Sequence, residues 1–331
     1  MKSLVTGGGG FLGSAIVRML HARGDEVTVL CRKSYEHIAA YVTRVFQADL
    51  RDATAVRAAC KGVEVVFHVA ALTGIWGPKR EFHSINVEGT RNVIDACRAH
   101  GVPKLIYTSS PSVVFGREEL CGVDETQPYP PRYLAAYPES KAAAERMVLA
   151  ANDASLATVA LRPHLIWGPG DPHLIPRVIQ RAREGKLVQV GDGTNLVDIT
   201  YIDNAAEAHV LAADALRPGA PCAGRTYFIS QGEPVSLWPW LNQILAAAGA
   251  PGVTRQVSAF AAYRVGALLE AAYRLVGARS EPRMTRFLAL QLAKSHHFDI
   301  SAARRDLGYE PRIGTPEGVE RLVVWLQSRS L

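Results

Sequence analysis

The amino-terminal glycine cluster constrains the fold of this chain more than any other part of its sequence. An apolar run at residues 3–5 is followed by TGGGGFLG at residues 6–13, where an amphipathic helical pattern begins. In this spacing the first glycine permits an unusual turn, the middle one lets the backbone approach a pyrophosphate, and the last allows close helix packing. Amide groups at a helix N-terminus also favour bound phosphates. The residues predicted to hold a dinucleotide here are Gly7, Gly10, Phe11, Leu12 and Gly13.

Apolar runs and helical patterns alternate through the first half of the chain. The predicted buried strands are residues 3–5, 26–30, 63–69, 104–108 and 157–161. The predicted helices are residues 11–23, 54–59, 85–99 and 138–152. This alternation predicts an α/β fold, a Rossmann-type doubly wound parallel sheet with right-handed helical crossovers on both faces.

The alternation of strand and helix patterns ends after residue 161. The segment that follows, RPHLIWGPGDPHLIPR, is rich in proline and glycine and predicts a shaped loop. We predict a dinucleotide-binding domain at residues 1–164, to which residues 199–230 return. A smaller, mostly helical C-terminal lobe, residues 165–198 and 231–311, is expected to bind substrate. Residues 312–331 are expected to form a C-terminal helix.

Charge and cysteine usage narrow the range of partners. The formal net charge of +6 comes from lysines and arginines scattered along the 331 residues rather than gathered into a stripe. An anionic cofactor and an acidic substrate explain this balance, and nucleic-acid binding is not expected. The five cysteines show no CxxC or Cys/His spacing, so we expect no metal site and a reduced, cytoplasmic chain without a signal peptide.

Residues 260–276 read as an amphipathic helix, because charged residues interrupt an otherwise apolar run. Such a helix is expected to pack on its own domain or on the partner in a homodimer. The alternatives are a wall of a substrate channel and contact with a membrane surface.

The end of the second predicted strand bears on the choice of cofactor. Arg32 stands where an enzyme restricted to NAD usually places a carboxylate for the ribose hydroxyl. An arginine there accommodates a 2′-phosphate, so we predict NADP(H), with NAD(H) as the alternative if Arg32 is only a solvated surface residue. Asp49 and Leu50 are expected beside the adenine, and Ala70 and Ala71 along the cofactor.

A tyrosine and a lysine stand four residues apart in YPESK, Tyr137 and Lys141. Pro138 suits the first position of a helix, so both side chains leave one face of its first turn. We expect the ammonium to bring the pKa of the phenol towards neutrality, which would make Tyr137 a general acid and base. Ser110, which follows the predicted strand at residues 104–108, is the candidate that hydrogen-bonds the substrate oxygen. Ser109 is the alternative.

These motifs together resemble the extended short-chain dehydrogenase/reductase superfamily, in its 3β-hydroxysteroid dehydrogenase branch. The similarity rests on TGGGGFLG, YTSSPSV, YPESK, ALRPHLIWGPGD and TYIDNAA, and it extends over nearly the whole chain. The resemblance implies Tyr137 as general acid and base, Lys141 as its activator and ribose ligand, and Ser110 as the group that polarises the substrate. It also implies a structural or proton-relay role for Asn86 and a cofactor contact at Pro163.

Within that branch, ANDASLATVALRPHLIWGPGDPHLIPR and YFISQGEP most resemble bacterial 2-alkyl-3-oxoalkanoate reductases, with sterol-4α-carboxylate 3-dehydrogenases next. Both groups interconvert β-keto and β-hydroxy acids. The resemblance therefore implies an oxidoreductase acting on an apolar small molecule that carries a carboxylate. Other members of the superfamily are 3β-hydroxysteroid dehydrogenases, nucleotide-sugar epimerases or dehydratases, and NADP(H)-sensing regulators without catalytic activity.

Two details of the sequence distinguish between these alternative functions. Regulators of this fold lack the tyrosine–lysine pair, which this chain has. Epimerases carry an asparagine where this chain has Leu165, which favours an apolar substrate. The cations expected near the substrate carboxylate are His164, Arg177 and Lys79, and the expected apolar walls include Trp76 and Trp167.

Overall fold

The computed structural model describes residues 1–328, and every structural statement below refers to them. The strands in chain order are β1 Lys2–Thr6, β2 Glu26–Cys31, β3 Arg44–Gln47, β4 Val65–His68, β5 Lys104–Thr108, β6 Leu120–Val123, β7 Ala157–Pro163, β8 Ile166–Trp167, β9 Gln189–Val190, β10 Leu196–Val197, β11 Thr200–Tyr201, β12 Arg225–Ile229, β13 Val235–Ser236, β14 Gln256–Val257 and β15 His296–Phe298. The α-helices are α1 Phe11–Ala22, α2 Ala53–Ala59, α3 Lys79–Phe82, α4 Gly89–His100, α5 Ala136–Ala150, α6 Leu174–Arg183, α7 Ile202–Ala215, α8 Leu237–Ala247, α9 Ala259–Leu275, α10 Arg286–Ala293, α11 Ser301–Leu307 and α12 Thr315–Ser328.

A seven-stranded parallel sheet forms the centre of the molecule, with the strand order β12-β7-β5-β4-β1-β2-β3. The chain adds β2 and β3 on one side of β1, then crosses to β4 and continues outwards in the other direction. This reversal creates a crevice beyond the carboxyl ends of the strands, which is where open α/β sheets bind ligands. The predicted fold class is confirmed.

The predicted elements of the first half match the observed ones to within a few residues, with two differences. A single π-helical turn, His83–Glu88, precedes α4, so the regular helix begins later than residue 85. Helix α5 begins at Ala136, two residues before Pro138, which is therefore not its first residue. Tyr137 and Lys141 still share one face of α5, because four residues make about one turn.

The second half of the chain contributes to both parts of the molecule. Strand β12 completes the edge of the main sheet, and α7 packs against α1. Helices α6, α8, α9 and α10 form most of the C-terminal lobe, together with a small sheet in the order β13-β10-β15-β6. Strand β6 reaches this sheet from the first half of the chain. The division into domains at residue 164 stays a prediction, and residues 329–331 of the predicted C-terminal helix lie outside the described residues.

Helix α9 leaves much of its apolar surface in solvent. Gly266 lies against the backbone of Thr285, the residue just before α10, so one side of α9 is closely packed. On the other side, Phe260, Leu268 and Leu275 are 74%, 71% and 88% exposed. Among the described helices, none is both long enough and apolar enough to span a membrane.

Candidate active site

A cleft of about 1090 Å³ lies at the carboxyl ends of the central strands. It brings together every residue predicted to bind the cofactor or to take part in catalysis. Those residues are Gly7, Gly10, Phe11, Leu12, Gly13, Arg32, Asp49, Leu50, Ala70, Ala71, Ser110, Tyr137, Lys141 and Pro163. They come from both halves of the dinucleotide-binding fold, from the glycine loop to the last residue of β7, so the topology rather than the sequence order makes them neighbours.

The glycine loop is shaped so that side chains cannot be added to it. Gly7 has a φ of +72°, and a Cβ there would lie 2.9 Å from the Ala70 backbone. A Cβ on Gly13 would lie 2.2 Å from the Gly7 carbonyl oxygen. No side chain caps the N-terminus of α1, and its first residues line the cleft. The loop and the uncapped helix therefore fit the pyrophosphate of a dinucleotide.

The rim of the cleft near β2 and β3 carries the predicted determinant of cofactor choice. Arg32 is exposed, lines the cleft and forms no ion pair within the described part of the chain. The carboxylate of Asp49 instead accepts two hydrogen bonds from the Arg51 guanidinium, at 2.8 and 2.9 Å. These bonds, with a smaller contribution from Arg32, hold the pKa of Asp49 below its usual value. Arg32 is thus left available to an anionic ligand.

Several residues that line this cleft were not predicted from the sequence. Tyr35 and His37 follow Arg32 in the chain, and the Tyr35 ring lies against the Gly9 backbone. Their position just after β2, close to Arg32 in the chain, could have indicated that they line the cleft. Trp325 reaches the cleft from α12, and nothing in the local sequence indicates that the last helix returns to this place.

The predicted catalytic residues meet at the inner end of the cleft. Tyr137 is half-buried on the wall of the cleft, where the side chain of Ser110 interacts with its phenol. The hydroxyl of Ser110 also accepts hydrogen bonds from the Ser112 amide and hydroxyl, at 3.2 and 2.9 Å. Ser109 lines the same cleft, but its buried hydroxyl has no hydrogen-bond partner among residues 1–328. Contact with the phenol therefore favours Ser110 over Ser109.

The electrostatics of Tyr137 and Lys141 differ from the sequence-based expectation. Lys141 donates a hydrogen bond to the Thr108 carbonyl at 2.6 Å and lies 4.1 Å from the centre of the Tyr107 ring. Burial lowers the pKa of Lys141 to about 7, against the opposing attraction of Glu145. Burial also raises the pKa of Tyr137, partly offset by the hydrogen bond with Ser110. The pKa of the phenol is thus not brought towards neutrality here, because desolvation disfavours its charged form.

A buried hydrogen-bond network connects the glycine loop to the catalytic helix. Thr90 donates to the carbonyl of Asn86 at 2.6 Å, so His68 must donate to Thr90 through Nε2 and accept from Thr6 through Nδ1. Burial lowers the pKa of His68 to about 3, which keeps the imidazole neutral in this arrangement. Thr6 in turn accepts from the Ala70 amide at 3.2 Å. The network fixes the ends of β1 and β4 on which the cleft is built.

Asn86 continues this network into α5. Its amide donates to the Leu72 carbonyl and to the Ser140 hydroxyl, both at 3.0 Å, and its oxygen accepts from the Leu72 amide at 2.7 Å. Ser140 donates to the carbonyl of Tyr137 at 2.8 Å. All of the polar atoms of the Asn86 side chain are used within the protein, which supports the structural alternative over a proton relay.

The loop after β7 carries backbone strain beside the cleft. Leu165 has a φ of +39°, and no other non-glycine residue of the described chain has a positive φ. This conformation is uncommon for a leucine and costs of order 1–3 kcal/mol. Because Leu165 lines the cleft, the strain coincides with the position at which the sequence predicts an apolar contact to the substrate.

The three cations predicted near the substrate carboxylate are all engaged elsewhere. His164 is buried against His296, at 2.6 Å, and burial lowers its pKa well below the usual value, so it is neutral. Arg177 pairs with Glu281, and Lys79 pairs with Glu139. Because these partners are remote in sequence, local motifs could not indicate the pairings, and the cation that meets the substrate carboxylate stays a prediction.

The two tryptophans predicted as substrate walls have different positions. Trp167 is fully buried and packs edge-on against Tyr201 and Trp240, so it belongs to the core. Trp76 is half-buried and lines a second cavity.

Solved structures with this arrangement establish the class of protein. The chain superposes on a UDP-glucose 4-epimerase of Thermus thermophilus in complex with NAD, with a TM-score of 0.76, 27% identity and 99% of each chain covered. It also superposes on MoeE5 in complex with UDP-glucose and NAD, with a TM-score of 0.77, 28% identity and both chains fully covered. The fold and the cleft define an NAD(P)-dependent oxidoreductase of the extended short-chain dehydrogenase/reductase class.

The family follows from sequence comparison. Residues 4–257 match the model of the 3-beta hydroxysteroid dehydrogenase/isomerase family, and the chain belongs to this family.

Among its relatives, a 2-alkyl-3-oxoalkanoate reductase of Stenotrophomonas maltophilia is 53% identical over 97% of this chain and 98% of that protein. A reductase of the same description from Shewanella oneidensis is 51% identical, over 97% and 85%. A decarboxylating sterol-4-alpha-carboxylate 3-dehydrogenase of Mus musculus is 35% identical, over 97% and 90%.

Proposed function

We propose that this protein is an NADP(H)-dependent reductase that converts 2-alkyl-3-oxoalkanoates, which are β-keto acids with apolar arms, into 3-hydroxy acids. The observation that carries the proposal is that Ser110, Tyr137 and Lys141 line the same cleft as the glycine loop. The two relatives that are 53% and 51% identical to this chain over the aligned residues are reductases of this description, which supports the substrate class.

The residues of the cleft have separate roles in this reaction. When bound, NADPH supplies the hydride that adds to the keto carbon. Tyr137 donates its phenolic proton to the keto oxygen, on which negative charge develops, and Ser110 hydrogen-bonds the same oxygen. Lys141, held by the Thr108 carbonyl, stabilises the tyrosinate and would hold the nicotinamide ribose. The glycine loop and the N-terminus of α1 would hold the pyrophosphate.

The electrostatics of the cleft favour reduction over oxidation near neutral pH. Reduction needs a protonated phenol, whereas oxidation of the hydroxy acid needs the phenolate. Burial raises the pKa of Tyr137, so the phenol is protonated throughout the neutral range. Tyr137 can therefore act as the general acid without first changing its protonation state.

Reductase activity is expected to decline as the pH rises above about 7. The pKa of Lys141 lies near 7, so its ammonium is charged below this pH and loses its proton above it. Since the charge stabilises the tyrosinate, the charged form is the active one. The measurement is kcat/KM for reduction across the neutral range, and Lys141→Arg, whose guanidinium stays charged, should show no such decline. A parent profile that stays level well into alkaline pH would contradict this assignment.

NADPH is expected to bind more tightly than NADH because of Arg32. A charge-assisted hydrogen bond contributes ~1.5–3 kcal/mol, and a tenfold change in affinity corresponds to ~1.4 kcal/mol. Arg32→Ala should therefore weaken NADPH binding by about ten- to a hundredfold and leave NADH nearly unchanged, with a smaller difference at high salt. The control is Lys33→Ala, which removes an adjacent cation that does not line the cleft. Equal affinities for both cofactors in the parent, or equal losses in the variant, would show that Arg32 points to solvent.

The substrate class can be tested in the oxidative direction, where the substrates are stable. A 2-alkyl-3-hydroxy acid and a 3β-hydroxy-4-carboxysterol are each incubated with NADP⁺, and the products are identified by mass spectrometry. We expect turnover of the alkyl acid, and none in Tyr137→Phe. Turnover of the sterol acid alone would favour the sterol-4α-carboxylate 3-dehydrogenase alternative, for which the 35% identical relative is the specific support.

Dimer formation and contact with a membrane surface stay predictions. The exposed apolar side of α9, with Phe260, Leu268 and Leu275, is the surface on which we expect either contact to form.

A further inference from the structure

Helix α9 carries an apolar stripe along its exposed side. Phe260, Leu268 and Leu275 lie on this side, and Val265 and Val276 add two further exposed apolar side chains. Spacings of eight and seven residues keep the first three in line, because an α-helix has 3.6 residues per turn. The stripe runs the length of the helix, about 25 Å for its 17 residues. A continuous apolar stripe of this kind marks an interaction surface, whereas single exposed apolar residues do not.

The opposite side of α9 is fixed on the C-terminal lobe. A Cβ on Gly266 would lie 2.6 Å from the Thr285 backbone, so the two segments are in close contact. The buried carboxylate of Glu270 accepts hydrogen bonds from the Arg286 amide at 2.7 Å and from the Arg286 guanidinium at 2.8 and 3.0 Å. These contacts hold the helix in one rotational orientation. The apolar stripe therefore stays in solvent unless another surface covers it.

The charges around the stripe have one sign. Residues 251–280 contain four arginines and a single acidic residue, Glu270. Arg255, Arg264 and Arg279 are exposed, and they form no ion pair with any residue among 1–328. The side chain of Glu270 is only 3% exposed and lies on the packed side of α9, so it does not offset these charges at the surface. The exposed side of this segment is both apolar and basic.

Arg264 lies within the stripe rather than at its edge. It is four residues from both Phe260 and Leu268, so the three side chains are neighbours on one side of the helix. The guanidinium of Arg264 lies 5.9 Å from the centre of the Phe260 ring. An arginine can keep its aliphatic part among apolar groups while its guanidinium reaches a polar layer. The surface therefore suits a partner that offers apolar and anionic groups side by side.

A bilayer with anionic headgroups offers both kinds of group. When an amphipathic helix lies in the plane of the membrane surface, its apolar side chains enter the boundary of the acyl chains and its basic side chains meet lipid phosphates.

A second copy of this chain fits the surface less well. In a two-fold dimer the same surface is used by both subunits, so Arg264 would face the apolar and basic side of the partner. Residues 251–280 offer no exposed carboxylate there to pair with it. Like charges brought together in this way weaken an interface.

We propose that α9 docks this protein onto the surface of a bilayer that contains anionic phospholipids, with the helix axis parallel to the membrane plane. The apolar stripe enters the boundary between headgroups and acyl chains, and Arg255, Arg264 and Arg279 bind lipid phosphates. This inference goes beyond the proposed function and does not depend on it, since binding to vesicles needs neither cofactor nor substrate.

Cosedimentation with vesicles tests this contact. The protein is expected to bind vesicles of equal parts phosphatidylglycerol and phosphatidylcholine about tenfold or more tightly than vesicles of phosphatidylcholine alone, and less tightly at high salt. Leu268→Glu places a carboxylate in the stripe and should weaken binding to the anionic vesicles by about tenfold or more. Arg264→Gln removes one charge beside the lipid phosphates and should weaken it by about fivefold.

Two matched variants serve as controls. Val324→Glu makes the same kind of change at an exposed valine of α12, and Arg57→Gln removes the same charge from an exposed arginine of α2. Both should bind vesicles like the parent. All four substituted residues are exposed, so the urea unfolding midpoints should stay unchanged. Absence of binding to the anionic vesicles, equal binding to both kinds of vesicle, or equal losses in the control variants would overturn the proposal.

Sedimentation velocity distinguishes the membrane from a second copy of the chain. We expect Leu268→Glu to leave the oligomeric state of the parent unchanged. A parent dimer that Leu268→Glu dissociates, together with no binding to the anionic vesicles, would assign the stripe to an interface between copies and would also overturn the proposal.

Discussion

Replacing Tyr137 with phenylalanine is expected to lower kcat for ketone reduction by about 10²–10⁴-fold, the usual contribution of a general acid. The substitution removes the transferable proton and leaves the ring in place. Because phenylalanine differs from tyrosine only by the missing hydroxyl, its ring fits the same half-buried space on the wall of the cleft. The measurement is single-turnover reduction at saturating NADPH.

Two further measurements show whether this loss is chemical. NADPH affinity should change little in Tyr137→Phe, since the glycine loop and Arg32 are untouched. Ser110→Ala should lose less than Tyr137→Phe, because it removes one hydrogen bond to the keto oxygen and no proton donor. Reductase activity within a few-fold of the parent in Tyr137→Phe would mean that another group supplies the proton.

Replacing Arg162 with leucine is expected to lower the free energy of unfolding by about 3–5 kcal/mol. Its guanidinium donates to both oxygens of Glu145, at 2.9 and 2.7 Å, and the two side chains are 3% and 0% exposed. Glu145 also accepts a hydrogen bond from the Tyr129 hydroxyl at 2.6 Å, which cannot replace the lost charge. The variant leaves a buried carboxylate without its cation. The free-energy cost of this unpaired charge is much larger than the net stabilisation that the intact pair provides.

Urea unfolding of a double-mutant cycle tests this account of the pair. Arg162→Leu combined with Glu145→Leu should recover much of the loss, because no unpaired charge then remains in the core. Arg98→Leu, which breaks the exposed pair with Asp153, should have only a small effect. A single Arg162 variant as stable as the Arg98 variant would show that the buried pair does not hold α5 against β7.

The parts of this protein that could be predicted from the sequence are those that depend on short spacings. The strand, glycine loop and helix at residues 2–22 form one continuous unit, so the pattern TGGGGFLG predicts its shape. Tyr137 and Lys141 share a face because an α-helix repeats about every four residues. The alternation of strands and helices predicted the parallel sheet, since such strands need a crossover between them. These features are decided by the conformation of neighbouring residues.

The parts that could not be predicted are the pairings between residues distant in the chain. His164, Arg177 and Lys79 looked available as cations until their partners His296, Glu281 and Glu139 were placed beside them. The pKa of Tyr137 depends on how deeply α5 is buried, which no local spacing records.

Arg279 is a further residue whose surroundings could not be predicted from the sequence. Its own sequence context, GARSEPR, does not indicate that this arginine lines a cavity. Only the packing of the lobe places it across a cavity from the start of α5. The sequence by itself indicated the glycine loop and the pair Tyr137 and Lys141, because the spacing within each of these motifs is local. The tertiary structure alone decided which charges remain unpaired, because burial and Coulomb attraction depend on distances in space and not on separation along the chain.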